Sequence, residues 1–167
     1  MTGTWDGYRF SENELSTLFA LTGGTPIGID LSGVSEETLE DGLRELQSKG
    51  FLFHAEKGNM LEHILQFVIT ELNDAAQCLL YEESSERIAF LYSCNAMWTL
   101  LCKRRGAWQL LPIEKTKDAV KALKQYQNQT PGTGTFVVCD GQAAAIHPIE
   151  GCNIEALCET WTHKKGT

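Results

Sequence analysis

Residues 77–113 read QCLLYEESSERIAFLYSCNAMWTLLCKRRGAWQLLPI, and this stretch decides the fold. Its apolar residues recur at alternate positions or in short continuous runs, the signature of extended chain rather than helix. The pattern predicts strands at Gln77–Tyr81, Arg87–Ser93, Met97–Cys102 and Trp108–Ile113. The joints Glu82–Glu86 and Lys103–Gly106 are hairpin-type turns. They are too short for parallel crossovers, so an antiparallel meander is expected.

Upstream the period changes to that of helices. Ser11 with Glu14 has the form of a capping box, and Leu15, Leu18, Phe19 and Thr22 follow at helical spacing until Gly23-Gly24. Phe10, just before the cap, is expected to staple onto this helix. Ser35 is the next N-cap. Glu36 and Glu37 suit the positive end of that helix, Leu39, Leu43 and Leu46 form its apolar stripe, and Gly50 stands as the C′ residue. Phe51–Phe53 reads as a short strand. A third helix is predicted over Asn59–Leu72, with Met60, Leu61, Ile64, Leu65, Val68 and Leu72 as its buried face.

Downstream, Glu114–Tyr126 returns to helical spacing through Ala119, Val120 and Leu123. Residues 127–133 are polar, contain Pro131 and Gly132, and are the linker candidate. Thr135–Cys139 and Ala143–His147 read as a hairpin about Asp140-Gly141. Asn153 is expected to cap a last helix through Ile154, Leu157, Cys158 and Trp161, with a disordered tail from Lys164. The fold class is therefore α+β: an antiparallel sheet of about four to six strands packed by helices from both ends of the chain. One domain is expected over 1–167, divided into a helical, winged-helix-like part (8–76) and a part holding the sheet and C-terminal helices (77–163).

Charge bears on function. Residues 1–76 hold four Lys/Arg against thirteen Asp/Glu, whereas the remainder holds ten against nine. In the second helix, Glu36, Glu37, Glu40, Asp41 and Glu45 face only Arg44 and Lys49. A recognition helix must bring positive charge to phosphates, so nucleic-acid binding is not expected, and a winged-helix-like transcriptional regulator is the alternative reading. The first residues carry neither a basic n-region nor an apolar h-region, and no apolar run is long enough to span a bilayer. A cytoplasmic chain without membrane insertion is expected.

The six cysteines are expected to be reduced. Cys78, Cys94, Cys102 and Cys139 lie in apolar strand-like runs, where a thiol acts as a small hydrophobe. Cys152 is the best-placed nucleophile, in a turn at a helix start with His147 five residues upstream, but a turn cysteine beside a strand-end histidine is the simpler reading. An enzyme using Cys152 would label there before the other thiols. His54 with His63, and Cys152 with Cys158, lack metal-ligand spacing, and no phosphate-binding glycine motif opens a helix. No catalytic residue, metal or cofactor is expected. The candidate partner-contact residues are Lys103, Arg104 and Arg105 at a hairpin tip, flanked by Trp98 and Trp108. An exposed indole there would make an aromatic-plus-arginine contact patch; buried indoles would leave a solvated turn.

The order FSENELSTLFALTGG, ETLEDGLRELQSKGFL, an apolar helix, then QCLLY, RIAFLYS, MWTLLCKRRGAWQLLPI and the helix KDAVKALKQ resembles the EspG-like secretion-associated proteins of type VII (ESX) systems over roughly residues 8–125. Lys49-Gly50-Phe51-Leu52 corresponds to the step that ends their second helix, and Leu110-Leu111-Pro112 to a strand end before a helix. The resemblance implies a cytosolic, non-enzymatic chaperone or adaptor whose partner is a helical-hairpin secretion substrate. It assigns no contact residue.

Overall fold

The structure, a computed structural model, describes residues 7–55, 58–128, 134–140 and 145–165. Its first half comprises β1 (Tyr8–Phe10), α1 (Glu12–Thr22), α2 (Glu36–Ser48), β2 (Leu52–Ala55), β3 (Gly58–Leu61) and α3 (His63–Asn73). There follow β4 (Gln77–Ser84), β5 (Arg87–Ser93), β6 (Trp98–Arg104), β7 (Ala107–Ile113) and α4 (Thr116–Asn128). β8 (Thr135–Asp140), β9 (Ala145–Ile149), a 3₁₀ turn at Gly151–Asn153 and α5 (Ile154–Lys165) complete it.

Seven strands form one sheet in the order β1-β7-β6-β5-β4-β8-β9, every neighbouring pair antiparallel, and β2 with β3 makes a separate hairpin. The fold is α+β. Both faces of the sheet are covered. Leu101, Leu110, Phe90, Tyr92 and Cys78 pack on one side with α1, α3 and the β2–β3 hairpin. Leu79, Tyr81, Leu91, Leu100 and Trp98 pack on the other with α4 and α5. Alternate residues of one strand therefore feed two cores, which is why β5 and β6 read as continuous apolar runs.

The N-terminal helices form as their caps dictate. The Ser11 amide donates to Glu14 Oε1 at 2.8 Å while the Glu14 amide donates to Ser11 Oγ at 3.1 Å, and Gly23 closes α1 with φ of 71°. Ser35 caps α2, and Gly50 with φ of 79° follows its end. α2 lies against α1 at Gly42, and Lys49 Nζ reaches the buried Glu14 Oε1 at 2.7 Å.

Several expectations are corrected. Phe10 shares a core with Leu15 of α1, where a staple would put it, but it also sits in β1, opposite Trp108 of β7, so the segment before the first cap is the edge strand of the sheet. α3 begins at His63, not Asn59: Asn59, Met60 and Leu61 pair with β2, and Glu62 caps the helix by accepting from the Ile64 and Leu65 amides at 2.9 and 3.0 Å. That start leaves Ile64 exposed and turns Leu65, Val68, Ile69 and Leu72 inward. Asn153 lies inside the 3₁₀ turn that runs directly into α5, so it does not cap the helix. Lys164 and Lys165 belong to α5. β8 and β9 pair as the expected hairpin, with Asp140 opposite Ala145, whereas Gly141 and residues 129–133 of the linker candidate lie outside the described residues.

Candidate interaction surface

The β6–β7 hairpin separates the residues that the sequence groups. Its two central residues, Arg105 (φ 52°) and Gly106 (φ 77°), both have positive φ, the twist that suits a tight antiparallel turn. Arg105 is exposed at the tip, while Lys103 and Arg104, as strand neighbours, point to opposite faces. Lys103 Nζ lies 3.5 Å from Glu86 and 3.8 Å from Glu12, and 5.6 Å from the Trp108 ring centre. Arg104 stacks over the Tyr126 ring at 5.1 Å, on the α4 side.

Both indoles are buried, and they belong to different cores. Trp98 packs near Trp161 and donates its ring N–H to Thr116 Oγ1 at 3.0 Å. Trp108 donates to Glu12 Oε2 at 2.7 Å. Of the two alternatives for this hairpin, buried indoles leave the solvated turn, with Arg105 at its tip: β-sheet alternation sends Trp98 and Trp108 inward on two faces.

The exposed apolar surface is elsewhere. Among the described residues, the large hydrophobic side chains left exposed are Leu21, Phe53, Met60, Ile64 and Phe67, each more than 40% accessible. All belong to α1, the β2–β3 hairpin and α3. The hairpin turns Leu52 and its partner Leu61 inward and Phe53 and its partner Met60 outward. Leu21 and Met60 line a groove of about 310 Å³ with Gln66 and Thr70, and Ile64 and Phe67 stand one turn apart on the outer side of α3. The sequence held a signal for this, because alternation sets Phe53 on the face opposite Leu52, so that one of these two large apolar neighbours must face out.

A second cleft, of about 340 Å³, opens between α1, residues 28–31 and the β4–β5 turn. Glu12, Asp30, Glu82 and Lys103 rim it above Phe90 and Trp108. Asp30 accepts from the Ser32 amide at 2.9 Å, which holds its carboxyl below the usual range.

On the opposite face, two guanidiniums share one ring near the end of the sheet, and a third stands on the edge strand. Arg87 of β5 and Arg104 of β6 both approach the Tyr126 ring, at 4.4 and 5.1 Å. Arg9 of β1 pairs with Gln109, which pairs with Cys102 across β6–β7. Burial pushes the Cys102 thiol up, and the charges of Arg104, Arg87 and Arg9 oppose that shift. Arg87 is engaged, with Nε 3.6 Å from Glu83 and a bond to the Tyr126 carbonyl at 2.9 Å.

Cys152 is exposed in the 3₁₀ turn and His147 is exposed on the edge strand β9, while Cys78, Cys94, Cys102, Cys139 and Cys158 are buried free thiols. Among the described residues no cluster of three His, Cys, Asp or Glu could hold a metal ion, and no helix is long and apolar enough to cross a membrane. His54, on β2, and His63, at the start of α3, are both exposed. A scan against protein-family models finds no match, and a search of curated proteins finds no relative.

Proposed function

We propose that this chain is a non-enzymatic chaperone or adaptor that docks another polypeptide, a helical protein of the kind type VII systems export. The observation that carries this reading is the concentration of exposed large hydrophobics on one group of elements, α1, the β2–β3 hairpin and α3. Monomeric proteins rarely leave such side chains grouped without a use, and grouped exposure marks interaction surfaces. The region is also strongly acidic, with thirteen Asp/Glu against four Lys/Arg over residues 1–76. That pairing favours a partner presenting an apolar helical stripe flanked by Lys or Arg. The groove beside Met60 has room for side chains of such a stripe, and polar Gln66 and Thr70 edge it.

The winged-helix regulator draws on the order α1, α2, β2–β3, in which a hairpin follows two helices. The acidic exposed side of α2 opposes it, since Glu36, Glu37 and Glu40 stand exposed where a phosphate backbone would lie.

The test compares affinity capture from the native cell by the wild-type chain and by a Phe53→Ser/Phe67→Ser variant, two exposed positions whose change leaves the cores intact. A stoichiometric complex with a small helical protein, lost in the variant, supports the proposal. Salt-sensitive recovery of DNA, or equal capture by both proteins, overturns it.

A further inference from the structure

The α4 face of the sheet carries a second site, independent of the apolar surface. A cleft of about 310 Å³ lies between α4 and strands β1, β7 and β6. Arg9 and Arg104 line it, with Gln109 and Gln125 as neutral hydrogen-bonding groups and Leu100 and Leu111 as apolar wall. Among the described residues no carboxylate lines it, in a chain whose net charge is −8.

The register explains how the cleft arises. Arg104 stands opposite Ala107 on β7, and this small side chain leaves open the space beside the guanidinium. Arg9 reaches the same opening from the edge strand, two residue pairs further along and so on the same face, where Gln109 faces it. Arg87 adds a third positive charge behind Tyr126, with Glu83 as its counter-ion.

We propose that this cleft binds a small phosphomonoester: two forked guanidiniums match the charge and oxygens of the phosphate, and Leu100 and Leu111 accommodate an apolar substituent.

Isothermal titration with phenyl phosphate, inorganic phosphate and potassium chloride at matched ionic strength tests this. Saturable binding of phenyl phosphate is expected, tighter than that of inorganic phosphate and not reproduced by chloride. Arg9→Gln and Arg104→Gln should each weaken it about tenfold, the loss of one charge-assisted hydrogen bond. Arg104 stacks on Tyr126, so its variant could lose stability; Arg9 is exposed at the edge, and Arg9→Gln alone decides the matter in that event. Co-sedimentation with phosphatidic acid vesicles, abolished by Arg9→Gln, would identify the ester as a lipid headgroup, and its absence alongside phenyl phosphate binding would identify a soluble ester. Failure of phenyl phosphate to saturate, or equal affinity in Arg9→Gln, overturns the assignment.

Discussion

Gly42 of α2 sits directly against Thr17 of α1: a Cβ at Gly42 would stand 1.9 Å from Thr17 Oγ1 and 2.5 Å from the Asn13 carbonyl oxygen. The two helices pack at a separation that only glycine allows. Gly42→Ala should destabilise the fold by about 1–3 kcal/mol, although alanine is the better helix former by about 1 kcal/mol. Urea unfolding of the two proteins measures this, and an unchanged or raised midpoint would refute the contact.

Glu14 is buried, and Lys49 is the cation beside it, 44% exposed at its side chain. Removing the ammonium strands a carboxylate away from water, whereas the pair itself contributes little. Lys49→Met should cost about 1–3 kcal/mol, and Lys49→Met with Glu14→Gln should recover part of the loss. A double mutant no better than Lys49→Met would count against the pair.

Arg105 holds a left-handed backbone conformation that suits Asn or Gly. Arg105→Asn should stabilise the β6–β7 turn by about 0.5–1 kcal/mol. A fall in thermal midpoint would contradict the turn geometry.

All four tyrosines have phenols harder to ionise than usual. Burial, then the charge of Glu62, pushes Tyr8 up to about 12, and burial raises Tyr126 to about 12. Burial also raises Tyr81 and lifts Tyr92 well above the ordinary value of 10.0. Because the folded values exceed the unfolded one, the stability linked to these groups is complete below pH 10 and is lost as pH rises from 10 to 12. Absorbance at about 295 nm should therefore stay flat through pH 10 in the native protein and titrate there in denaturant. A native phenolate step at the ordinary pH would be inconsistent with this burial.

One thiol of six is exposed. A thiol reagent should modify Cys152 rapidly and the other five only on unfolding, and Cys152→Ser should abolish the fast phase while preserving the fold. Rapid reaction of two or more thiols in the native state would mean that a core on either side of the sheet is open.

The sheet and its helices were legible because their signals are long or chemically specific. β5 spans the residues Arg87–Ser93 that its apolar run delimits, and the Ser11–Glu14 box places the start of α1. β1 was not legible: three residues are too few to display a period, and Phe10 suits a staple as well as a strand. β3 was hidden inside a helical pattern, since Met60 and Leu61 stand at spacings from Ile64 and Leu65 that a helix also uses. The different surroundings of Lys103, Arg104 and Arg105 were not legible, because adjacency in a strand means separation in space. Conversely, Arg9, Arg87 and Arg104 lie far apart in sequence, and only strand order unites them.

The pairing of Tyr8 with Leu110 sets a timetable for biosynthesis. The edge strand that leads into α1 has no neighbour until β7 has left the ribosome, so the first helices must wait, undocked at that edge, while about a hundred residues are translated. During that interval Phe10 and its surroundings are open to chaperones and to aggregation. Slowing elongation after Ile113 should therefore raise the yield of native chain more than slowing it before Gln77.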